Sequence, residues 1–220
     1  MPALEAHEIY RFFHVGDDET AALRGVSLRL SRGETVAVVG PSGSGKSTLL
    51  ACLTGLDEPD GGYVEVAGTR LSRRPETERA GLRAAHFGIL LQAGNLFPHL
   101  TVQQNIRLQM LLAGKPDRRR VGELLDSLGL LVRADAFPIE LSGGETARAG
   151  LGVALAADPL ILVADEPTAE IDRFAETQLI DHFETRRRKG LATLIATHSD
   201  ALARHADRIV RLRDGKVDND

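Results

Sequence analysis

The sequence predicts an α/β fold: a mainly parallel sheet covered by helices, carrying an antiparallel β lobe and a helical lobe. Three observations predict it. Short continuous apolar runs, Thr35–Val39 and Leu160–Ala164, suit strands buried on both faces. Such runs alternate with helical periods through the last third of the chain, as in a parallel sheet with crossover helices. A glycine-rich turn, Gly40–Gly45, stands between the first run and an apolar helix, Thr48–Leu53.

The elements follow in order. Val26–Leu30 alternates apolar and polar residues, as a half-buried strand does. Tyr63–Val66 alternates in the same way behind Gly61 and Gly62, and Gly68 closes it in a turn. The first third is therefore β-rich. From about Gly94 to Gly129 the period is helical: Val121, Leu124, Leu125 and Leu128 share a face, and Gly129 is a stop signal. Leu160–Ala164 is then a buried strand, Glu176–Arg188 a helix, and Leu191–Thr197 and Arg208–Leu212 further strands before a turn at Asp214-Gly215. There is no internal repeat and no low-complexity linker.

Composition excludes several classes. The 220 residues carry a formal net charge of −4, with 4% aromatics and no tryptophan. A nucleic-acid binder needs a basic footprint or stacking platforms, and this chain offers neither. The basic runs Arg118–Arg120 and Arg186–Lys189 read as solvated helix faces. The single cysteine, Cys52, allows no internal disulfide and points to a reducing compartment and a core position. Met1–Tyr10 lacks the long apolar run of a signal peptide. No stretch reaches the ~18 apolar residues of a membrane span.

Gly40-Pro41-Ser42-Gly43-Ser44-Gly45-Lys46-Ser47-Thr48 matches G-x-x-x-x-G-K-[ST] between a strand and a helix. Glycines let successive backbone N–H groups turn toward phosphate oxygens, and the helix N-terminus adds a partial positive charge. Lys46 is placed to reach the β- and γ-phosphates, and the Ser47 hydroxyl to bind Mg²⁺. This loop alone does not separate kinases, GTPases and motors. Asp165 and Glu166 end the Leu160–Ala164 strand. Neighbouring strand residues point to opposite sides, so Asp165 suits a hard cation while Glu166 is free to orient and deprotonate a water.

Leu141-Ser142-Gly143-Gly144-Glu145 decides between the classes. Ser142 and Glu145 form an S-x-x-E capping box for the alanine-rich helix Thr146–Ala157. Two glycines in a first turn are poor helix formers but let an anion approach the backbone. That makes a second phosphate-binding surface in a chain with one phosphate loop. A second subunit's nucleotide is the economical recipient.

With these residues the sequence resembles the ATP-binding cassette (ABC) family across nearly its whole length. Gly40–Thr48 is similar to its Walker A loop, Leu141–Glu145 to its signature, and Leu162–Glu166 to Walker B with the catalytic glutamate. Gln92 is similar to the Q-loop glutamine, which contacts Mg²⁺ and senses the γ-phosphate. Ala169–Asp172 resembles the D-loop, and His198 the switch histidine. Thr146-Ala147 and Glu170-Ile171 depart from the commoner wording beside the signature and in the D-loop.

The resemblance implies the P-loop NTPase fold of ABC ATPases. A core and β lobe would take about 1–92 and 158–220, and a helical lobe about 93–157. It implies ATP and Mg²⁺ as cofactors, with Ser47, Gln92 and Asp165 at the metal, and Lys46, Gln92, Glu166 and His198 in catalysis. Ser142, Gly143, Gly144 and Glu145 would face the nucleotide of a second copy in a head-to-tail homodimer. The adenine would stack on an aromatic before the first strand pair. Tyr10, Phe12 and Phe13 are candidates, and counting back from Ala22-Leu23 favours Phe13.

A permease on a separate chain is the implied partner, docked on Phe97 and Pro98 at the cytoplasmic face of the plasma membrane. The end at Asp220, soon after the last expected strand, predicts no extra regulatory domain. Gly16–Thr20 and the short length look most like the macrolide-export and lipoprotein-release branch. Importer subunits share similar Q-loop wording, and a cell-division ATPase driving a permease-like partner is an alternative. DNA-repair and translation types carry a coiled-coil insertion or two cassettes, unlike this chain.

Overall fold

Two long strands open the chain: β1 (Pro2–Val15) and β2 (Asp18–Ser31) pair antiparallel along their length. With β4 (Gly61–Val66) and β5 (Thr69–Arg70) they form an antiparallel sheet in the order β2-β1-β4-β5. The computed structural model describes residues 2–15, 18–168 and 173–218. β1 interrupts its own alternation. Glu8 has φ 47°, and the register shifts between Ala6 and Ile9, so the buried residues do not keep a period of two. That is why the sequence pattern names only the Val26–Leu30 half of the pair.

The second sheet has six strands in the order β10-β9-β3-β8-β7-β6. β3 (Thr35–Val39), β6 (Phe87–Leu90), β7 (Ile161–Asp165), β8 (Ala192–Thr197) and β9 (Arg208–Arg213) pair parallel. β10 (Lys216–Asp218) returns antiparallel through the Asp214-Gly215 turn. The apolar runs divide their residues between the two faces. Val36, Val38, Ile161, Val163 and Leu194 join the core shared with the β lobe and α1 (Lys46–Thr54). Leu162, Ala164 and Ile195 join a second core beneath the helices. Continuous hydrophobicity is what two buried faces require. Cys52 lies in the first core, 1% exposed, and its burial pushes the thiol pKa up to about 12.

The second core is covered by α3 (Val102–Leu112), α4 (Arg118–Ser127), α5 (Gly143–Leu155) and α6 (Arg173–Arg188). Val121, Leu124, Leu125 and Leu128 all point into it, as their spacing predicts. α7 (Asp200–Ala203) is a single turn after β8. α2 (Glu76–His86) carries no apolar signal because none of its residues is buried. Leu82 packs half-buried against the first core, and charge adds to its hold: Arg79 pairs with Glu58 at 2.5 Å, and Arg83 donates to the Gly55 carbonyl at 2.7 Å. Among the described residues no helix is long and apolar enough to cross a membrane.

α5 lies directly on β6. A Cβ built on Gly88 would stand 1.9 Å from the Ala154 carbonyl oxygen, and backbone cannot yield as a side-chain tip can. Replacing Gly88 by Ala is expected to cost about 3 kcal/mol, the upper part of the overpacking range. A denaturant titration of the nucleotide-free protein checks this. An unchanged midpoint would mean that α5 shifts without penalty.

Candidate nucleotide site

The site grows from the C-terminal edge of the parallel sheet, where ligands of open α/β folds bind. β3 ends at Gly40, and the chain loops over residues 40–45 before α1 begins at Lys46. Sterics demand the glycines. Gly45 has φ 102°, and a Cβ there would meet the Ala22 carbonyl at 2.6 Å; on Gly40 it would meet the Leu212 carbonyl at 2.1 Å. α1 starts with no side-chain cap and no acidic residue in its first turn. Its leading N–H groups therefore keep their donors and their partial positive charge. The Lys46 ammonium folds back over the loop, donating to the carbonyls of Gly40 at 2.9 Å and Pro41 at 3.2 Å.

β7 delivers the two carboxylates. Asp165 is 9% exposed, and its Oδ1 is buried without a hydrogen-bond partner. Glu166 follows with φ 47°, in the left-handed region that a non-glycine residue occupies at a cost. Its N–H donates to the Ala196 carbonyl at 2.9 Å. Its Oε2 accepts from the His198 N–H at 3.2 Å and lies 2.9 Å from His198 Nδ1. Its Oε1 lies 3.9 Å from Lys46 Nζ. Parallel pairing of β7 with β8 sets Asp165 opposite Ala196 and so brings Glu166 beside His198.

Lys46, Glu166 and His198 share a cavity of about 1100 Å³ with Phe13, Ser42, Gly43, Gly45, Ser47, Thr48 and Gln92, and Asp165 stands behind Glu166 without lining it. Of the three aromatic candidates only Phe13 lines it. Its ring is 40% exposed and carries the Arg11 guanidinium 4.8 Å from its centroid. Arg11 is fixed by Asp57 at 2.8 Å and Asp60 at 3.1 Å. Tyr10 packs against Gly25 and Gly61 and stacks on Phe12 instead. Gly40, Pro41 and Ser44 shape the loop without lining the cavity.

Arg24, Ala22, Asp214 and Gly215 line the cavity too, and no sequence pattern singled them out for it. Tertiary pairing brings them there: Gly215 donates to the Ser44 carbonyl at 3.1 Å and accepts from Arg24 N–H at 2.8 Å. The Asp214-Gly215 turn is the one local signal.

Residues 142–145 lie elsewhere; none of them lines this cavity. Ser142 caps α5, its Oγ accepting from the Glu145 N–H at 3.3 Å, while Glu145 Oε2 accepts from the Ser142 N–H at 2.8 Å. The Ser142 N–H, with Arg133 beside it, holds the Glu145 carboxyl down at about 2. Ser142 and Gly143 face solvent. A Cβ on Gly143 would meet nothing within 4 Å, so packing within this chain does not ask for glycine there.

Gln92 lies between the two regions. It lines the large cavity and a second one of about 330 Å³ shared with Leu141, Gly143, Thr146 and Glu166. Its loop is tied by Asn95, whose Oδ1 accepts from the Leu91 N–H at 2.7 Å and whose Nδ2 donates to the Leu91 carbonyl at 2.6 Å. Asn95 also presses on α5: a Cβ on Gly150 would stand 2.9 Å from Asn95 Cβ. Phe97 and Pro98 are exposed beyond it. Ala169–Asp172, and Gly16 and Asp17 of the Gly16–Thr20 segment, lie outside the described residues.

Residues 23–169 match the family model for "ABC transporter". The chain is 41% identical over 224 residues to an uncharacterised ABC transporter ATP-binding protein YbbA of Escherichia coli, covering 99% of this chain and 98% of that one. It is 40% identical over 222 residues to the lipoprotein-releasing system ATP-binding protein LolD of Novosphingobium aromaticivorans, covering 99% of each. It is 40% identical over 221 residues to the macrolide export ATP-binding/permease protein MacB of Chlorobium luteolum, and there the match spans all of this chain but a third, 33%, of the longer protein. Among solved structures, a dimeric ATP-binding cassette in a post-hydrolysis state bound to ADP and Pi superposes with a TM-score of 0.94 and 30% identity, over 98% of this chain and 97% of that one.

Proposed function

The chain belongs to the ABC transporter family, and from that premise we propose that it is an ATP-binding and ATP-hydrolysing subunit that closes head to tail on a second copy and drives a separate membrane permease. The observation that carries this reading is the meeting of Lys46, Glu166 and His198 at the phosphate loop within one cavity. The signature turn, outside that cavity with glycine where this chain's packing asks for none, supports a nucleotide brought by another subunit.

In the mechanism we infer, the loop N–H groups and Lys46 hold the phosphates, and Phe13 offers its free face to the adenine. The unpartnered Asp165 oxygen suits Mg²⁺, and with Ser47 and Gln92 it makes an all-oxygen donor set proper to a hard cation. The ion, when bound, supplies charge neutralisation at the phosphates. Glu166 takes the proton of the attacking water, and His198 fixes its carboxylate. ATP favours the closed pair because it binds that state better than the open one.

The match to macrolide-export and lipoprotein-release proteins over the full chain supports a permease of that class, with Phe97 and Pro98 in the docking surface. Tagged Glu166→Gln protein captured from detergent-solubilised membranes with ATP and Mg²⁺ should bring down a polytopic membrane protein. Ribosomes, DNA-associated proteins or no partner would overturn the permease assignment.

A further inference from the structure

A carboxylate stands where this reading puts a phosphate. Glu145 sits in the first turn of α5, beside the Ser142 and Gly143 backbone that would face the second subunit's nucleotide. Its charge favours the helix end as a cap, yet the same charge repels an incoming anion. Oε2 is occupied by the Ser142 N–H at 2.8 Å and hydroxyl at 3.0 Å. Oε1 is taken from the other side by Arg133, whose Nε lies 2.8 Å away.

Arg133 stands at the surface and outside both hydrophobic cores. It sits in a short 3-10 turn (Leu131–Arg133), and its side chain is 46% exposed. The turn is closed by backbone bonds alone, from Arg133 N–H to Leu130 and from Ala136 N–H to Arg133. The other nearby carboxylate, Glu140, is committed to the Phe137 N–H at 2.7 Å. Among the described residues Arg133 is thus the one cation paired with Glu145.

We propose that Arg133 is a positioning residue of the shared nucleotide site: it neutralises Glu145, so that the first turn of α5 keeps its cap yet presents no net negative charge to the phosphate of the facing subunit. The inference rests on the head-to-tail reading. It differs from a purely structural strut in a testable way, because the electrostatic role depends on the sum of the two charges rather than on the contact.

The test uses full-length Glu166→Gln protein as parent, with Arg133→Gln, Glu145→Gln and the double replacement added, reading the ATP concentration for half-maximal dimerisation. Glutamine at 145 keeps the capping box. The expected order follows local charge. Glu145→Gln, one charge more positive, needs the least ATP. Parent and double variant, both neutral, need similar amounts. Arg133→Gln, one charge more negative, needs the most, with steps of roughly three- to tenfold per charge that shrink as salt rises. Arg133→Lys should restore the parent value, and matching thermal midpoints establish that each variant folds. A strut predicts that both single variants and the double all weaken dimerisation, and that result would overturn the proposal alone. A parent that fails to dimerise with ATP would overturn the head-to-tail reading and the proposal with it.

Discussion

Glu166→Gln should lower ATP turnover by about a hundredfold or more, the usual share of a general base, while the ATP-bound dimer accumulates. The geometry predicts a clean separation of the two effects. Glu166 is over-determined: its backbone is held by Ala196 at 2.9 Å in a left-handed conformation, and its Oε2 by the His198 N–H at 3.2 Å. Glutamine has the same length and keeps a carbonyl oxygen for that N–H. It loses the charge and the proton affinity, which only the chemical step needs. Steady-state phosphate release together with light scattering in Mg-ATP checks both halves. Wild-type turnover in the variant would remove Glu166 from the role of base and leave His198 as the next group to examine.

Lys46→Ala should abolish ATP-dependent dimerisation and weaken ATP binding by roughly ten- to a hundredfold, the worth of one or two charge-assisted hydrogen bonds to phosphate. Lys46 Nζ is satisfied by two loop carbonyls, Gly40 and Pro41, and lies 3.9 Å from Glu166. These contacts hold the cation at the cavity, 9% exposed, where a phosphate can exchange for carbonyls without drawing the ammonium out of water afresh. The replacement removes charge and reach while leaving Gly40, Gly43 and Gly45 to keep the turn. Calorimetric titration with a non-hydrolysable ATP analogue measures it. An unchanged affinity would show that the backbone cradle binds the phosphates by itself.

Much of this was legible in the sequence, for identifiable reasons. Thr35–Val39 reads as a strand and is one, because two buried faces leave a continuous apolar run. Ser142 reads as a cap, and α5 begins at the next residue, three before the alanine-rich stretch suggested. The glycines of Gly40–Thr48 stand where left-handed φ values or close backbone contacts call for glycine. What stayed hidden depends on long-range geometry. α2 is held in part by arginine–carboxylate pairs that carry no periodic signal, and β1 breaks its alternation at a bulge. Arg24 reaches the cavity only through the pairing of β2 with the Asp214-Gly215 turn, which no local pattern encodes. The choice among Tyr10, Phe12 and Phe13 likewise depends on which side of β1 faces the loop.

The contact between Asn95 and Gly150 has a mechanical consequence. With no side chain at 150 to hold them apart, the loop bearing Gln92 packs through Asn95 directly on the helix bearing Ser142, and a push on one is expected to reach the other. In the proposed dimer the loop and the helix touch different nucleotides, Gln92 its own and Ser142 the facing one. Filling one site is then expected to bear on the arm that completes the other. The pair should respond to ATP as a single switch, with a Hill coefficient above one, and a bulkier residue at 150 should flatten the response by loosening that contact.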